Sequence, residues 1–194
     1  DYVWHYQTTP GETWDYTAVQ HIILADIELE GRARKVLMQA PKNGFFYVLD
    51  RETGELLSAN NYVNMNWATH VDMKTGRPVE LPEARYKAAP LMVYPSALGG
   101  HNWQPMSYSP QTGLVYIPVL DIPGGYGQPE HFKYNPGIWN TGTDALAAAL
   151  PDDQAERNAL GALIKGRLLA WDPVKQQEAW HVEHNGPWNG GTLA

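Results

Sequence analysis

Short apolar runs separated by turn residues occupy the first third of the chain and predict β-strands. The runs lie at Ile22–Glu28, Lys35–Gln39, Phe45–Asp50 and Glu55–Ala59, with turn residues between them. Apolar runs of this length, joined by tight turns, are typical of neighbouring antiparallel strands. We therefore expect a four-stranded meander between residues 21 and 67.

A recurring turn sequence indicates that this meander is one of several repeats. The segment Gly166–Val182 places Ala170, Asp172 and Trp180 in a strand–turn–strand unit, and Trp4 occupies the position of Trp180 in a preceding unit. Because a single meander leaves two apolar faces uncovered, its repeats stack as the blades of a β-propeller. The copies of the turn are Asp50–Gly54, Asp72–Gly76, Pro110–Gly113 and Asp172–Gln176.

The predicted fold class is therefore all-β, part of a β-propeller with one short helix in an insertion. We expect residues 1–20 to end a blade, 21–67 to form a full blade, 68–187 to form a blade with long insertions, and 188–194 to start another. Neither end of the chain has the pattern of a natural terminus, so we expect a segment of a longer polypeptide.

Outside the meander, the pattern predicts three more strands, two loop regions and the helix. The helix covers Pro151–Ile164, begins at Asp152 or Asp153, and carries Ala155, Ala159, Leu160 and Leu163 on one face. The remaining predictions are strands at Tyr2–Gln7, Asn102–Tyr108 and Leu114–Val119, and loops at Asn60–Ser96 and Asp121–Gly142.

Composition narrows the classes of function. The net charge of -7 over 194 residues argues against a nucleic-acid backbone as partner. The absence of Cys excludes disulfides, thiolate metal sites and Cys-x-x-Cys-His haem attachment within this chain. No apolar run approaches the length that a membrane-spanning helix needs.

Three clusters carry candidate binding residues. Lys42 stands before the buried run Phe45–Asp50, where a cation on rigid backbone can meet an anionic ligand; an ordinary solvated Lys is the alternative. Asn102 offers a donor and an acceptor, and Trp103 a ring face; a turn residue and a core residue are the alternatives. Trp188 lies in the third cluster, Gly186–Gly191.

Taken together, the three clusters resemble a known family. Lys42-Asn43-Gly44 before Phe-Tyr-Val-Leu-Asp, Gly-Gly-His-Asn-Trp-Gln-Pro-Met-Ser-Tyr at residues 99–108, and Trp-Asn-Gly-Gly-Thr-Leu-Ala at residues 188–194 are similar to the pyrroloquinoline quinone (PQQ)-dependent alcohol dehydrogenases, in particular the quinohaemoprotein type. The resemblance covers nearly the whole chain, including Val3–Gln7 and Trp14-Asp15-Tyr16.

The resemblance implies an eight-bladed propeller with Trp-docking repeats, a quinone on its axis beside Ca²⁺, and a periplasmic location. It also implies that Lys42 contacts the quinone oxygens and that Asn102, Trp103 and Trp188 contact the cofactor. The family's catalytic Asp and its Ca²⁺ ligands are expected upstream of Asp1, and a haem c domain downstream of Ala194. Asp1 and Asp15 do not lie in the family's catalytic context, so neither is assigned the catalytic role.

Two functions remain open from the sequence. The first is a segment of an enzyme that oxidises primary alcohols to aldehydes and passes electrons to haem c or a cytochrome, with the remainder of the propeller as its structural partner. The alternative is a non-catalytic propeller that serves as a platform for assembly or binding, in which Lys42, Asn102 and Trp103 have no reason to converge.

Overall fold

The computed structural model describes residues 1–144, 150–187 and 190–194, and within these ranges the chain is built mainly from antiparallel strands. The helix α1 covers Gln154–Leu163. The strands are β1 Ile23–Leu29, β2 Arg32–Gln39, β3 Phe45–Asp50, β4 Leu56–Asn61, β5 Ala68–Asp72, β6 Arg77–Glu80, β7 Leu91–Val93, β8 Ser107–Ser109, β9 Leu114–Asp121, β10 Gly124–Tyr126, β11 Lys165–Asp172 and β12 Gln177–His184.

The first sheet is the predicted meander. Its strands pair antiparallel in the order β1-β2-β3-β4, which is also their order along the chain. The tight turn between β3 and β4 forms because the Asp50 carboxylate accepts the backbone N–H groups of Glu52 and Thr53, both at 3.0 Å. Gly54 closes the turn at φ 77, a left-handed conformation that glycine adopts without a steric penalty.

The second large sheet has the order β12-β11-β9-β8. Its β9–β11 connection carries β10, which pairs with β7, and the helix α1. The paired strands β5 and β6 lie earlier in the chain, between β4 and β7. The sheets and the helix therefore agree with an all-β fold that has one short helix in an insertion.

Strand β3 is buried on both of its faces, which explains its unbroken apolar sequence. Phe46 and Val48 pack into a core cluster with Val115, Ile117 and Leu169 of the second sheet. Phe45 and Tyr47 point the other way, into an aromatic cluster that includes Trp14, Tyr16, Trp67, Tyr86 and Tyr126. One face thus joins the two sheets, and the opposite face holds the loops of the candidate site.

Several predicted elements differ from the structure. No strand forms at Tyr2–Gln7, because within the described residues no neighbouring strand pairs with it. The predicted strand Asn102–Tyr108 is a loop as far as residue 106. The Asn102 amide bonds to the Leu98 carbonyl, and the imidazole of the preceding residue, His101, bonds to the Ala40 carbonyl before β3. The predicted loop Asn60–Ser96 contains the short strands β5, β6 and β7.

The helix α1 is shorter than predicted but starts at a predicted cap. The Asp153 carboxylate accepts the backbone N–H of Glu156 at 2.9 Å. None of its residues is buried, so the predicted apolar face does not enter a core. In the described part of the chain, no helix has the length and apolar character needed to cross a membrane.

Trp4 docks on the β3–β4 turn, as expected for a Trp that links one repeat to the next. Its indole Nε1 donates to the carbonyl oxygen of Arg51 at 3.2 Å. Its ring lies so close to Gly54 that a Cβ built there would stand 2.7 Å from the ring carbons. Trp180 lies on β12 opposite Ala170, where its ring packs against Tyr116 at 5.8 Å.

We predict that Gly54→Ala destabilises the full-length protein more than Gly113→Ala does. Both glycines close turns of the same type, at φ 77 and 70, but nothing lies within 4 Å of a Cβ at Gly113. Each substitution carries the left-handed penalty of about 1–2 kcal/mol, and Gly54→Ala adds an overpacking cost of about 1–3 kcal/mol against Trp4. Chemical denaturation measures the difference, and Trp4→Ala should abolish it; equal losses for the two glycines would contradict Trp docking.

Candidate functional site

The turn between β2 and β3 is built around the buried side chain of Asn43. Its Nδ2 donates to the Tyr47 hydroxyl at 2.9 Å and to the Thr9 hydroxyl at 3.1 Å, and its Oδ1 accepts the backbone N–H of Phe45 at 3.1 Å. Its carbonyl oxygen accepts the indole N–H of Trp67 at 2.8 Å. The backbone beside Lys42 is therefore fixed on several sides.

Lys42 is a buried cation with a carboxylate partner. The residue is 8% exposed, so it is not the solvated Lys of the alternative interpretation. Its Nζ lies 3.0 Å from Oδ2 of Asp15, whose side chain is 62% exposed. An ammonium group has three N–H donors, so an ion pair with one carboxylate oxygen leaves donor capacity for a ligand.

The loop that carries Asn102 and Trp103 packs directly against Lys42. Gly100 N–H donates to the Lys42 carbonyl at 3.0 Å. At Gly99, which has φ 80, a Cβ would stand 2.5 Å from Cγ and 2.6 Å from Cα of Lys42. Glycine is required there because the two backbones are in contact. The structure thus brings the first two predicted clusters together.

Two hydrogen bonds of the Asn102 side chain stabilise the loop in which it lies. Its Nδ2 donates to the Leu98 carbonyl at 2.7 Å, and its Oδ1 accepts the N–H of Trp103 at 2.9 Å. This is the turn-stabilising role of the alternative interpretation, and one amide hydrogen remains beyond it. Trp103 is 70% exposed, so the alternative interpretation of a core residue is wrong. Trp188 lies outside the described residues.

His101 joins this loop to the strand before Lys42. Its Nδ1 lies 2.8 Å from the Ala40 carbonyl oxygen, and its Nε2 lies 2.6 Å from that of Gln104. Burial lowers the pKa of His101 below its ordinary value, although both carbonyl oxygens favour the protonated ring. The imidazole is therefore a structural bridge between the loop and Ala40, the residue that follows β2.

Asp15 is held in a left-handed backbone conformation, with φ 66. Its neighbours are fixed by their side chains: Trp14 Nε1 donates to the Ala84 carbonyl at 2.9 Å, and the Tyr16 hydroxyl donates to the Pro95 carbonyl at 2.5 Å. Burial raises the pKa of the Tyr16 hydroxyl well above its ordinary value, and nearby Tyr126 and Glu12 raise it further. The hydroxyl therefore stays protonated and remains a donor.

A cavity of about 790 Å³ opens beside Asp15. Asp15 and Leu98 form part of its wall. Lys42, Asn102 and Trp103 are not among the described residues that line it. Most of the wall is apolar, with contributions from Met92, Ile122, Tyr126, Leu160 and Ile164. The cavity thus has two carboxylates, those of Glu12 and Asp15, at the edge of an apolar space, and the Lys42 ammonium group is bonded to the Asp15 carboxylate.

Asp15 is the candidate that the sequence analysis left unassigned. Its neighbours Trp14 and Tyr16 belong to the resemblance, but a carboxylate in a loop carries no pattern that distinguishes it. One clue was available, since Asp and Asn tolerate the left-handed conformation better than most residues. Within the described ranges, no group of three or more His, Asp or Glu side chains is arranged to hold a metal ion.

Comparison with known protein families indicates which class of β-propeller the chain resembles. The β-propeller domain model of the glucose/ethanol/alcohol dehydrogenases, named for PQQ, matches residues 1–65. Together with the two antiparallel four-stranded sheets, this match indicates part of a β-propeller similar to that of the PQQ dehydrogenases. The number of blades and the division of the chain into blades stay predictions.

Quinohaemoprotein alcohol dehydrogenases are among the proteins that are similar to this chain over its whole length, which confirms the resemblance. The chain is 50% identical to ADH IIB of Pseudomonas putida, covering 98% of this chain and 26% of that protein. It is 48% identical to an enzyme of this type from Comamonas testosteroni, covering 99% of this chain and 27% of that protein. The solved ADHIIG structure from Pseudomonas putida HK5 has a TM-score of 0.95 and 49% identity, covering 100% of this chain and 29% of that one.

The chain thus spans about a quarter of the length of these curated relatives. A more distant solved structure, a europium-containing methanol dehydrogenase, has a TM-score of 0.77 and 30% identity, covering 94% of this chain and 31% of that one.

We predict that Gly99→Ala displaces Lys42, whereas Gly137→Ala does not. The two glycines have nearly equal φ values, 80 and 83, but only Gly99 has atoms within 4 Å of a Cβ. Both variants carry a left-handed penalty of about 1–2 kcal/mol, and Gly99→Ala should cost at least 1 kcal/mol more because a backbone atom of Lys42 blocks the new methyl group. Thermal unfolding of the full-length protein measures both, and equal shifts would contradict the close packing.

Proposed function

We propose that the chain is part of a PQQ-dependent alcohol dehydrogenase that oxidises primary alcohols to aldehydes, and that it supplies part of the quinone pocket. The observation that carries the proposal is the Lys42–Asp15 ion pair, which lies next to an apolar cavity in a chain similar along its whole length to such enzymes. By itself, the segment is expected to be inactive.

The residues present fit an anionic quinone. Lys42 is a nearly buried ammonium with donors to spare, and carboxylates and quinone oxygens are its natural partners. Asn102 retains one amide hydrogen, and Trp103 presents an exposed ring. We assign these three residues to the cofactor, together with Trp188, whose assignment rests on the resemblance alone. When bound, the quinone supplies the two-electron oxidation that side chains cannot perform.

Asp15 is the general base of the proposed reaction, in place of a residue upstream of Asp1. Its exposed carboxylate lies at the cavity edge, where an alcohol hydroxyl can approach it and transfer its proton. Lys42 holds the Asp15 oxygen Oδ2 in one direction and keeps a positive charge beside it. The apolar wall of the cavity takes the hydrocarbon part of the alcohol and excludes water.

The remaining assignments rest on the resemblance and concern the complete protein. They are Ca²⁺ beside the quinone with ligands outside this segment, a haem c domain, a cytochrome-type electron acceptor and a periplasmic location. A relative from Thauera butanivorans is named 1-butanol dehydrogenase (cytochrome c), which supports an alcohol substrate and a cytochrome acceptor. A non-catalytic platform gives no reason for a buried Lys to face a cavity-lining Asp.

We predict that Lys42→Ala weakens quinone binding and alcohol-dependent dye reduction in the full-length protein. Loss of one charge-assisted contact in a partly buried site should raise the quinone dissociation constant at least tenfold. The matched control is Lys35→Ala, which removes an exposed Lys whose Nζ lies 2.9 Å from Glu52. A quinone titration followed by Trp fluorescence gives the constant, and wild-type affinity in Lys42→Ala would remove Lys42 from the site.

We predict that Asp15→Asn lowers kcat by about 10²–10⁴-fold, because a general base contributes on this scale. Quinone affinity should change much less, since Asn keeps the size and one acceptor oxygen. Asp26→Asn serves as control, because Asp26 is also an exposed Asp in an ion pair, with Arg51 at 3.1 Å. Steady-state kinetics with ethanol and 1-butanol test the assignment, which fails if Asp15→Asn keeps full activity.

A further inference from the structure

The carboxylate of Glu12 binds the backbone on both sides of Asp15. Its Oε2 accepts the N–H of Trp14 at 2.8 Å and the N–H of Tyr16 at 3.0 Å. These two N–H groups point at one oxygen because the residue between them, Asp15, is left-handed. Successive backbone N–H groups arranged around a left-handed residue form a concave anion-binding nest.

A left-handed Asp needs support from its surroundings. The conformation costs up to about 1–2 kcal/mol for a residue with a Cβ, and although Asp tolerates it better than most residues, contacts from neighbouring groups are needed to hold it in place. Charge-assisted hydrogen bonds from backbone N–H to carboxylate are among the stronger hydrogen bonds in proteins. The two bonds to Glu12 therefore favour the left-handed conformation of Asp15.

The side chains flanking Asp15 are held by other contacts, which separates their role from that of Glu12. Trp14 is stacked on Tyr16 with ring centroids 5.5 Å apart, and the guanidinium of Arg85 lies 5.1 Å from the Trp14 ring. The Tyr126 hydroxyl donates to the Trp14 carbonyl at 2.9 Å. Without Glu12, the rings keep these contacts, while the peptide groups beside Asp15 lose their acceptor and can rotate.

We propose that Glu12 is a positioning residue that fixes the direction of the Asp15 carboxylate towards Lys42 and the cavity. The proposal rests on the proposed role of Asp15 as the base. It assigns Glu12 an acceptor function, not a proton-transfer function, although Glu12 also lines the cavity. A small misplacement of a catalytic group costs up to about 10²-fold in rate, so kcat is the sensitive quantity.

The test uses the full-length, quinone-loaded protein with ethanol and 1-butanol as substrates and a dye as acceptor. Glu12→Ala and the similarly long Glu12→Met both remove the acceptor, and either one suffices if the other does not fold. Glu12→Gln keeps an amide oxygen with two lone pairs, which can accept both N–H groups. Glu28→Ala, at an exposed position on β1, is the control for loss of a surface carboxylate.

We expect Glu12→Ala and Glu12→Met to lower kcat by about 10–100-fold, with KM and quinone affinity within about threefold of wild type. Glu12→Gln should restore kcat to within about fivefold, since the acceptor geometry is kept. Wild-type kcat in Glu12→Ala or Glu12→Met would overturn the proposal, and so would a Glu12→Gln variant as slow as Glu12→Ala. Full activity in Asp15→Asn would instead overturn the proposed function, whatever the Glu12 variants do.

Discussion

The buried amide of Asn43 is the interaction on which the candidate site depends. It ties the β2–β3 turn to the Thr8–Thr9 segment and to Tyr47, while the Asn43 carbonyl receives the indole N–H of Trp67. A buried amide left without these partners would cost about 1–3 kcal/mol, so the turn has one strongly preferred arrangement. Because Lys42 directly precedes Asn43, its backbone position is set by this network and not by its own charge.

The Lys42–Asp15 pair joins two loops that are each held independently. With Asp15 mostly exposed, the ion pair itself contributes on the order of 1 kcal/mol or less to stability. Its significance is therefore orientation: a rigid turn places the ammonium, and a strained loop, closed by Glu12, places the carboxylate. A site assembled this way keeps its geometry without relying on the attraction between its two charges.

The sequence predicted the parts of the fold that follow from local rules. The bounds of β3 agree with the structure because an apolar run closed by an Asp-Gly turn is decided within about ten residues. The Asp153 cap of α1 was predictable for the same reason. The loop at residues 102–106 was not, because its conformation depends on His101 reaching Ala40, which is distant in the chain.

In the candidate site, too, features set by neighbouring residues could be predicted from the sequence, and features set by contacts distant in the chain could not. Lys42 stood out because it precedes a buried strand. Its proximity to the Gly99-Gly100 backbone agrees with the resemblance, which implies that both motifs contact one cofactor. The role of Asp15 was not predicted from the sequence, because it depends on a left-handed φ and on a partner 27 residues away. Neither feature is visible in a periodic pattern. Trp103 shows that an aromatic residue in a Gly-rich loop need not enter the core.

We propose that Lys42 and Asp15 converge on the quinone and its alcohol substrate. The most direct test is a crystal structure of the full-length protein with the quinone bound. We expect Lys42 Nζ at about 3 Å from a quinone oxygen, with the Asp15 carboxylate still bonded to Lys42 and facing the same space. A quinone bound elsewhere, with neither side chain in contact with it, would show that Lys42 and Asp15 do not form the site.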